Sequence, residues 1–268
     1  MILLGSTGSI GVNTLLVAQR YKLPIEVLVA GNNATLLQKQ INTFHPKKVV
    51  VGSKETALKI SHPDLSYGEE AILDAIESSK SDIVVNALVG FTGLRPTLKA
   101  IACGKRVALA NKESLVAAGK FVDTSNLVPI DSEHFALWYL LNGRQIDKMI
   151  ITASGGAFRD TPLNHLQNAT VEEVLKHPNW SMGKKITCDS ATMTNKLFEL
   201  IEGYWLFKNQ FSNKPHLDAI IETKSLIHAF IDFTDGSTTA HIAKADMKLP
   251  IAFALRGKVE EKILDSVD

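Results

Sequence analysis

Ile2-Leu-Leu-Gly-Ser-Thr-Gly-Ser-Ile-Gly11 decides the fold class. Its three apolar residues have the length and chemistry of a short buried strand, and the glycines at 5, 8 and 11 lead out of that strand into a helix. A pyrophosphate at such a junction needs a tight turn, a backbone without Cβ at closest approach, and N–H groups left over at a helix start. The spacing departs from G-x-G-x-x-G, and a glycine-rich turn serving helix–strand packing is the plainer alternative. Position favours the dinucleotide reading. The motif stands at the first strand–helix junction of a chain whose first half keeps alternating short apolar runs with amphipathic stretches.

The runs Ile2–Leu4, Glu26–Ala30, Lys48–Val51, Ile83–Ala87, Val107–Ala110 and Leu127–Ile130 predict strands. Helical patterns lie between them, near 10–20, 35–44, 54–60, 69–77, 92–103 and 113–120. Continuously apolar strands alternating with helices predict a Rossmann-like, doubly wound parallel sheet covered on both faces. The pattern changes near residue 131. Longer strands follow at Lys148–Ala153 and within 225–244, where Thr234-Asp-Gly-Ser237 predicts a hairpin turn. The expected architecture is α/β, with a domain boundary between 125 and 150 and a mixed-sheet α+β domain after it.

Composition narrows the function. The chain of 268 residues is 45% hydrophobic and 21% charged, with net charge +1, as soluble globular proteins are. No basic run suggests a nucleic-acid footprint. Cys103 and Cys188 have no metal-ligand spacing. No signal-peptide pattern opens the sequence, and no segment reaches the roughly 18 apolar residues of a membrane span. The expected location is cytoplasmic.

Four further stretches carry chemistry. Ala30-Gly-Asn-Asn-Ala-Thr35 ends the second strand without the Asp or Glu that accepts from a ribose 2′-OH. That absence favours NADP, with Asn32, Asn33 and the next helix start as donors to the 2′-phosphate. Asn111-Lys-Glu-Ser114 follows a strand, at the carboxyl end of the sheet where such folds bind ligands; a surface ion pair is the bland alternative. In Asp131-Ser-Glu-His134, an extended backbone points Asp131 and Glu133 to one side, offering two oxygen ligands to a hard divalent ion. A helix N-cap at Asp131 or Ser132 explains the same residues. Ser154-Gly-Gly156 is a second possible anion cradle.

The last stretch is His177-Pro-Asn-Trp-Ser-Met182, a loop, running on to a helix capped by Asp189 or Ser190 and ending near Phe207. Asn195, Glu199 and Glu202 share a face of that helix, with Lys196 at its margin. Its other faces are apolar, so the polar face is expected to meet partners inside the protein. A solvated surface stripe is the alternative.

Taken together and in order, Gly5–Gly11, Asn111–Ser114, Asp131–His134, Ser154–Gly156, His177–Met182 and Asp189–Lys196 resemble the 1-deoxy-D-xylulose 5-phosphate reductoisomerase family, over residues 1 to about 252. The resemblance implies an enzyme that rearranges and reduces this ketose phosphate to 2-C-methyl-D-erythritol 4-phosphate for non-mevalonate isoprenoid synthesis. It implies NADPH, a divalent cation (Mg²⁺ or Mn²⁺, with Co²⁺ a third candidate) and a homodimer. It divides the chain into an NADPH domain, 1–130, and a catalytic and connective domain, 131–268, with a lid near 177–184. By matching motif, Thr7, Gly8, Ser9, Ile10, Gly31, Asn32, Asn33, Asn111, Glu113, Gly183 and Met247 belong to the cofactor site. Asp131, Glu133 and Glu199 are the implied metal ligands. Lys112, Ser132, Glu133, Ser154, His177, Trp180, Ser190, Asn195, Lys196 and Glu199 are implied around the substrate, the serines, Asn195 and Lys196 chiefly at its phosphate. Lys112 and His177 join the three carboxylates as implied catalytic groups, and Trp180 and Met182 form the lid.

Three departures qualify the match. Asn32 stands where the family has a basic residue, and Glu222-Thr-Lys224 replaces a His-Pro-Gln ahead of Ser225 and His228. The family also continues into a C-terminal helical domain, whereas this chain stops at Asp268. Two alternatives follow: a non-catalytic NADPH- or metal-binding fragment, or another NADP-dependent dehydrogenase of phosphorylated or semialdehyde substrates.

Overall fold

Ile2, Leu3 and Leu4 are wholly buried and form β1 (Ile2–Leu4), the central strand of a seven-stranded sheet. The computed structural model describes residues 1–267. After β1 come α1 (Ser9–Arg20), β2 (Val27–Ala30), α2 (Ala34–Phe44), β3 (Lys48–Val51), α3 (Lys54–Ala57), β4 (Leu65–Tyr67), α4 (Glu69–Ser78) and β5 (Ile83–Asn86). They are followed by α5 (Leu94–Ala102), β6 (Arg106–Leu109), α6 (Glu113–Ala118) and β7 (Leu127–Pro129). The strands lie in the order β4-β3-β2-β1-β5-β6-β7, and every pair is parallel. The order reverses at β1, which pairs with β2 on one side and β5 on the other, and such a switch point is where open α/β sheets bind ligands.

The six expected strands are present, within a residue or two at their ends. The seventh, β4, is an edge strand of three partly exposed residues with a single aliphatic among them, so it carries no buried-strand signature.

The chain separates into two compact units, Met1–Ile130 with Met247–Glu261, and Asp131–Asp246 with the stretch from Lys262. Placing all of 131–268 in one domain therefore misassigns the last helix, Lys248–Arg256, which packs with α1, β6 and β7 in the first unit. Its Ile251, Ala252 and Ala254 are wholly buried there.

The second unit opens with α7 (Ser132–Leu140) and β8 (Ile146–Ala153), then the short α8 (Val171–Val174). It continues through α9 (Lys184–Ala191), α10 (Thr194–Phe207), β9 (Leu217–Ile221), β10 (Ile227–Phe233) and β11 (Thr238–Ile242). Its sheet has the order β11-β10-β8-β9 and is mixed: β8 and β9 are parallel, the other pairs antiparallel. The β10–β11 hairpin turns at Thr234–Ser237, with Gly236 at φ +84°. Inward residues Met149, Ile151, Ala229, Ile231 and Phe233 pack with Ala136, Leu137 and Phe207 into one apolar core. This core fixes α7 and α10, the two helices that carry the acidic residues.

Candidate active site

In the first unit the glycine-rich turn is built as a phosphate-binding junction requires. Gly5 has φ +84°, and a Cβ there would lie 2.4 Å from the Ala87 carbonyl oxygen beyond β5. A Cβ on Gly11 would lie 2.2 Å from Gly5 O, so this glycine lets α1 close onto the turn. Gly8 is the extended N-cap of α1, with no side chain to occupy the first N–H groups of the helix. Thr7, Ser9 and Ile10 stand on this turn, partly or fully exposed at the carboxyl end of β1.

The β2 end carries Gly31, Asn32 and Asn33, all exposed. Asn33 caps α2 by accepting from Leu36 N at 3.1 Å. Asn32 is tied to the next loop: its Oδ1 accepts from Thr56 Oγ1 at 3.3 Å, while Gly52 N donates to Gly31 O at 3.2 Å. This leaves the Asn32 amide nitrogen as a donor at the surface, where an NAD-selective site has a carboxylate.

Asn111 has a structural task that its motif did not disclose. Its Nδ2 donates to Leu88 O and Gly90 O, both at 2.8 Å, and to Glu113 Oε2 at 3.2 Å. Its Oδ1 accepts from Ser114 N at 3.1 Å. A Cβ on Gly93 would collide with this amide at 2.3 Å, so Asn111 pins the β5–α5 loop against the start of α6. Lys112 lies beside it and is buried, which disposes of a solvated surface ion pair. Met247 is the N-cap residue of the Lys248–Arg256 helix.

In the second unit the carboxylates converge. Asp131 is the N-cap residue of α7 and Glu133 stands in its first turn, so the N-cap alternative describes the backbone and an extended segment does not. Asp131, Glu133 and Glu199 each place a carboxylate oxygen within 4.8 Å of the others'. Ser132 Oγ donates to Glu133 Oε2 at 2.6 Å. Glu199 is 2% exposed and Glu202 1%, which excludes a solvated stripe.

The helix bearing them differs from expectation. A single helix from Asp189 to Phe207 is replaced by α9 and α10, broken at Thr192-Met193 with Met193 left-handed at φ 60°. Thr192 Oγ1 bonds back to Cys188 O and Asp189 O, at 3.3 and 3.2 Å, and holds the break. Asp189 lies inside α9, paired with Lys185 at 2.7 Å, and is no cap. Asn195, Glu199 and Glu202 still share a face of α10.

Lys196 and Asn195, implied chiefly at the substrate phosphate, have their side chains on this carboxylate cluster. Lys196 Nζ lies 3.2 Å from Glu133 Oε1 and in closer contact with Glu199 Oε2. Asn195 Nδ2 donates to Glu199 Oε1 at 2.5 Å. Burial, against the pull of Lys196 and reinforced by the neighbouring carboxylates, pushes Glu133 up to about 7. Burial alone would push Lys196 down, but Glu133 and Glu199 hold it above its usual range. Three crowded carboxylates with hard oxygen donors fit a divalent cation of the Mg²⁺ or Mn²⁺ type.

A second constellation surrounds Ser154. Gly155 and Gly156 have φ +88° and +70°, and a Cβ on Gly156 would lie 2.4 Å from Ser190 O, so the loop presses on the end of α9. Ser154 Oγ is 2.9 Å from His177 Nε2 and accepts from Gly156 N at 3.2 Å. His177 Nδ1 accepts from Trp180 N at 2.9 Å and Asn179 N at 3.2 Å. The proton of the neutral ring is therefore on Nε2, which donates to Ser154. Burial lowers His177 and keeps it neutral. The Ser154 hydroxyl hydrogen is left to donate outward. Trp180 packs on His228, ring centroids 6.3 Å apart, and Asn179 Nδ2 donates to Thr223 O and Ser225 Oγ at 2.8 and 2.7 Å. Gly183 is the exposed N-cap residue of α9. The Glu222 that departs from the family pattern accepts from Lys224 N and Leu226 N, at 2.9 and 2.8 Å, and shapes the same turn.

His134 and Glu202 had no assigned role. Both are buried, with His134 Nδ1 3.1 Å from Glu202 Oε2 and 3.6 Å from Asp131 Oδ1. Burial by itself would lower the imidazole, yet Glu202 reverses this and raises it to about 9. Sequence spacing did hold a signal: His134 is three residues after Asp131, and Glu202 three after Glu199.

A doubly wound parallel sheet with a glycine turn at its switch point, joined in one chain to a mixed-sheet unit bearing clustered carboxylates, defines an enzyme of the dinucleotide-binding α/β class. Known proteins resolve the class further. The profile described as 1-deoxy-D-xylulose 5-phosphate reductoisomerase matches residues 1–119, and that of its C-terminal domain matches 127–207. The reductoisomerase of Nautilia profundicola is 61% identical over 100% of this chain and 74% of its own length. That of Wolinella succinogenes is 54% identical over 98% of this chain and 73% of its own. A solved reductoisomerase in complex with NADPH, fosmidomycin and magnesium superposes with TM-score 0.92 at 35% identity, covering all of this chain and 72% of that one. The Zymomonas mobilis enzyme in complex with NADPH gives 0.87 at 34%, covering all of this chain and 73% of that one. The chain belongs to the 1-deoxy-D-xylulose 5-phosphate reductoisomerase family.

Proposed function

We propose that the chain carries the family's reaction, the NADPH- and metal-dependent conversion of 1-deoxy-D-xylulose 5-phosphate to 2-C-methyl-D-erythritol 4-phosphate. The convergence of Asp131, Glu133 and Glu199 within 4.8 Å carries this reading, because a plain dehydrogenase of this fold has no need of a hard-metal site. When bound, the cation supplies Lewis-acid polarisation of the ketose oxygens for the skeletal rearrangement, and NADPH supplies the hydride for the reduction.

The protein's own groups do the rest. Asp131, Glu133 and Glu199 hold the cation, and Lys196 and Asn195 orient Glu199 and balance its charge. Ser154, with its hydroxyl hydrogen directed outward by His177, binds the substrate phosphate together with Ser190. The His177–Met182 segment excludes water, with Trp180 seated on His228 as its apolar anchor. Phosphate binding energy remote from the reacting carbons helps hold that segment closed. Thr7, Gly8, Ser9 and Ile10 bind the pyrophosphate. Asn32, oriented by Thr56, and Asn33 receive the 2′-phosphate through amide donors where the family pattern has a cation. Glu113, Gly183 and Met247 complete the cofactor contacts, and Lys112 supplies a buried cation at the carboxyl end of β6.

A homodimer and a cytoplasmic location extend the same reading. Among the described residues no helix is long and apolar enough to cross a membrane. Light scattering on the purified protein gives the oligomeric state. The decisive assay follows NADPH oxidation with the ketose phosphate, with and without Mg²⁺ or Mn²⁺. Metal-dependent turnover is expected, and absence of turnover by protein that still binds NADPH overturns the proposal.

A further inference from the structure

The carboxylates proposed to bind the cation come from two helices. Asp131 and Glu133 stand at the start of α7, whereas Glu199 is in the middle of α10. Their mutual distance depends on how the two helices dock. His134 lies at that docking point, completely buried, with both ring nitrogens facing acceptors on the other helix. Its Nε2 donates to the backbone carbonyl of Glu199 at 2.8 Å. Its Nδ1 lies 3.1 Å from Glu202 Oε2 on α10 and 3.6 Å from Asp131 Oδ1 on α7. The neighbouring Gly203 makes room for this ring: a Cβ there would be 3.3 Å from His134 Nε2, tighter than ordinary contact.

We propose that Glu202 and His134 form a positioning pair, clamping α7 onto α10 from behind the carboxylate cluster and so setting the spacing of Asp131 and Glu133 against Glu199. The proposal rests on the metal-binding reading given above. Glu202 acts through His134, and His134 acts on the backbone at Glu199 and on the Asp131 carboxylate. A pair in this place resembles the outer hydrogen-bonding partners that orient ligands in metal sites, whose loss weakens metal binding roughly 10- to 100-fold.

A buried ion pair that merely stabilised helix packing would act otherwise. Such pairs are often replaceable by apolar groups without loss of stability, and a pair with no part in spacing the ligands would leave Mn²⁺ affinity unchanged on substitution. Mn²⁺ titration of the purified protein, followed by the electron paramagnetic resonance signal of free Mn²⁺, separates the two without reference to turnover. Two variants break the link from opposite helices, Glu202→Gln and His134→Gln. Each replaces one member of the pair by a neutral amide and leaves the other in place. A pair that serves helix packing alone would leave Mn²⁺ affinity as it is in the unaltered protein. Positioning predicts that both weaken Mn²⁺ binding about tenfold or more, with NADPH affinity unchanged.

Absence of Mn²⁺ binding in the unaltered protein would defeat the metal reading itself. Normal binding there, with unaltered or tighter Mn²⁺ affinity in either folded variant, overturns the positioning proposal alone. Failure of both variants to fold also overturns it, leaving the pair a structural one.

Discussion

His177 Nε2 donates to the Ser154 hydroxyl across 2.9 Å, while His177 Nδ1 accepts from the backbone N–H of Trp180. The ring thus couples the Trp180 loop to the glycine turn after β8. It also fixes the hydroxyl's direction, since Ser154 Oγ already accepts from His177 and from Gly156 N. Ser154→Ala removes a donor to a phosphate, an interaction worth about 1.5–3 kcal/mol. KM for the ketose phosphate is expected to rise roughly 10- to 100-fold, with the NADPH dissociation constant unchanged. His177→Gln should follow in direction. Steady-state kinetics with separate cofactor titration checks both, and a collapse of NADPH binding in either would move these residues to the cofactor site.

Glu199→Gln keeps the shape of the side chain and removes the charge that Lys196 and Asn195 surround. Mn²⁺ affinity should fall by more than the roughly 10- to 100-fold typical of an outer partner, and turnover should fall with it. Isothermal titration with Mn²⁺ measures the first and NADPH oxidation the second. Unchanged metal dependence would remove Glu199 from the ligand set.

The difference between what the sequence disclosed and what it concealed follows the range of the interactions. β1, β2, β3, β5, β6 and β7 are legible because a strand covered on both faces must be continuously apolar, as Val27–Ala30 and Lys48–Val51 nearly are. β4 and β9 are edge strands with partly exposed residues, and no local pattern marks them. The break at Met193 is concealed for another reason. Thr-Met-Thr contains no Gly or Pro, and the left-handed residue is sustained by Thr192 bonding back into α9. In the site, the face shared by Asn195, Glu199 and Glu202 follows from helical spacing alone. That Asp131 and Glu133 meet Glu199 depends on the packing of α7 and α10, which spacing does not encode. The family resemblance supplied that link in advance.

Asn32 offers a test of cofactor choice. Thr56 holds its oxygen at 3.3 Å, which leaves the amide nitrogen as the donor proposed above for the 2′-phosphate. Asn32→Asp replaces a donor by a carboxylate, which repels a phosphate and accepts from a ribose hydroxyl. The ratio of NADPH to NADH affinity is expected to fall about tenfold or more, within the range of exposed like-charge repulsion. Fluorescence titration with both cofactors measures it. An unaltered ratio would place 2′-phosphate recognition elsewhere.

His241 sets an acid limit on the second unit. It is 9% exposed on β11, edge-on to Phe135 and Tyr139, with its ring centroid 5.8 Å from that of His228. Burial, and secondarily the neighbouring His228, lowers it to about 4 from an ordinary 6.5. The folded protein therefore keeps this ring neutral while the unfolded chain takes up a proton. Stability from the neutral ring is complete above pH 6.5, declines as pH falls towards 4, and levels off below that. A shift of this size corresponds to about 3 kcal/mol at the acid end. His241→Phe keeps an aromatic ring against Phe135 and Tyr139 and has nothing to titrate. Its melting temperature relative to the unaltered protein should rise as pH is lowered from 7 to 4.5. A difference that stays constant across that range would show that His241 is not the group responsible.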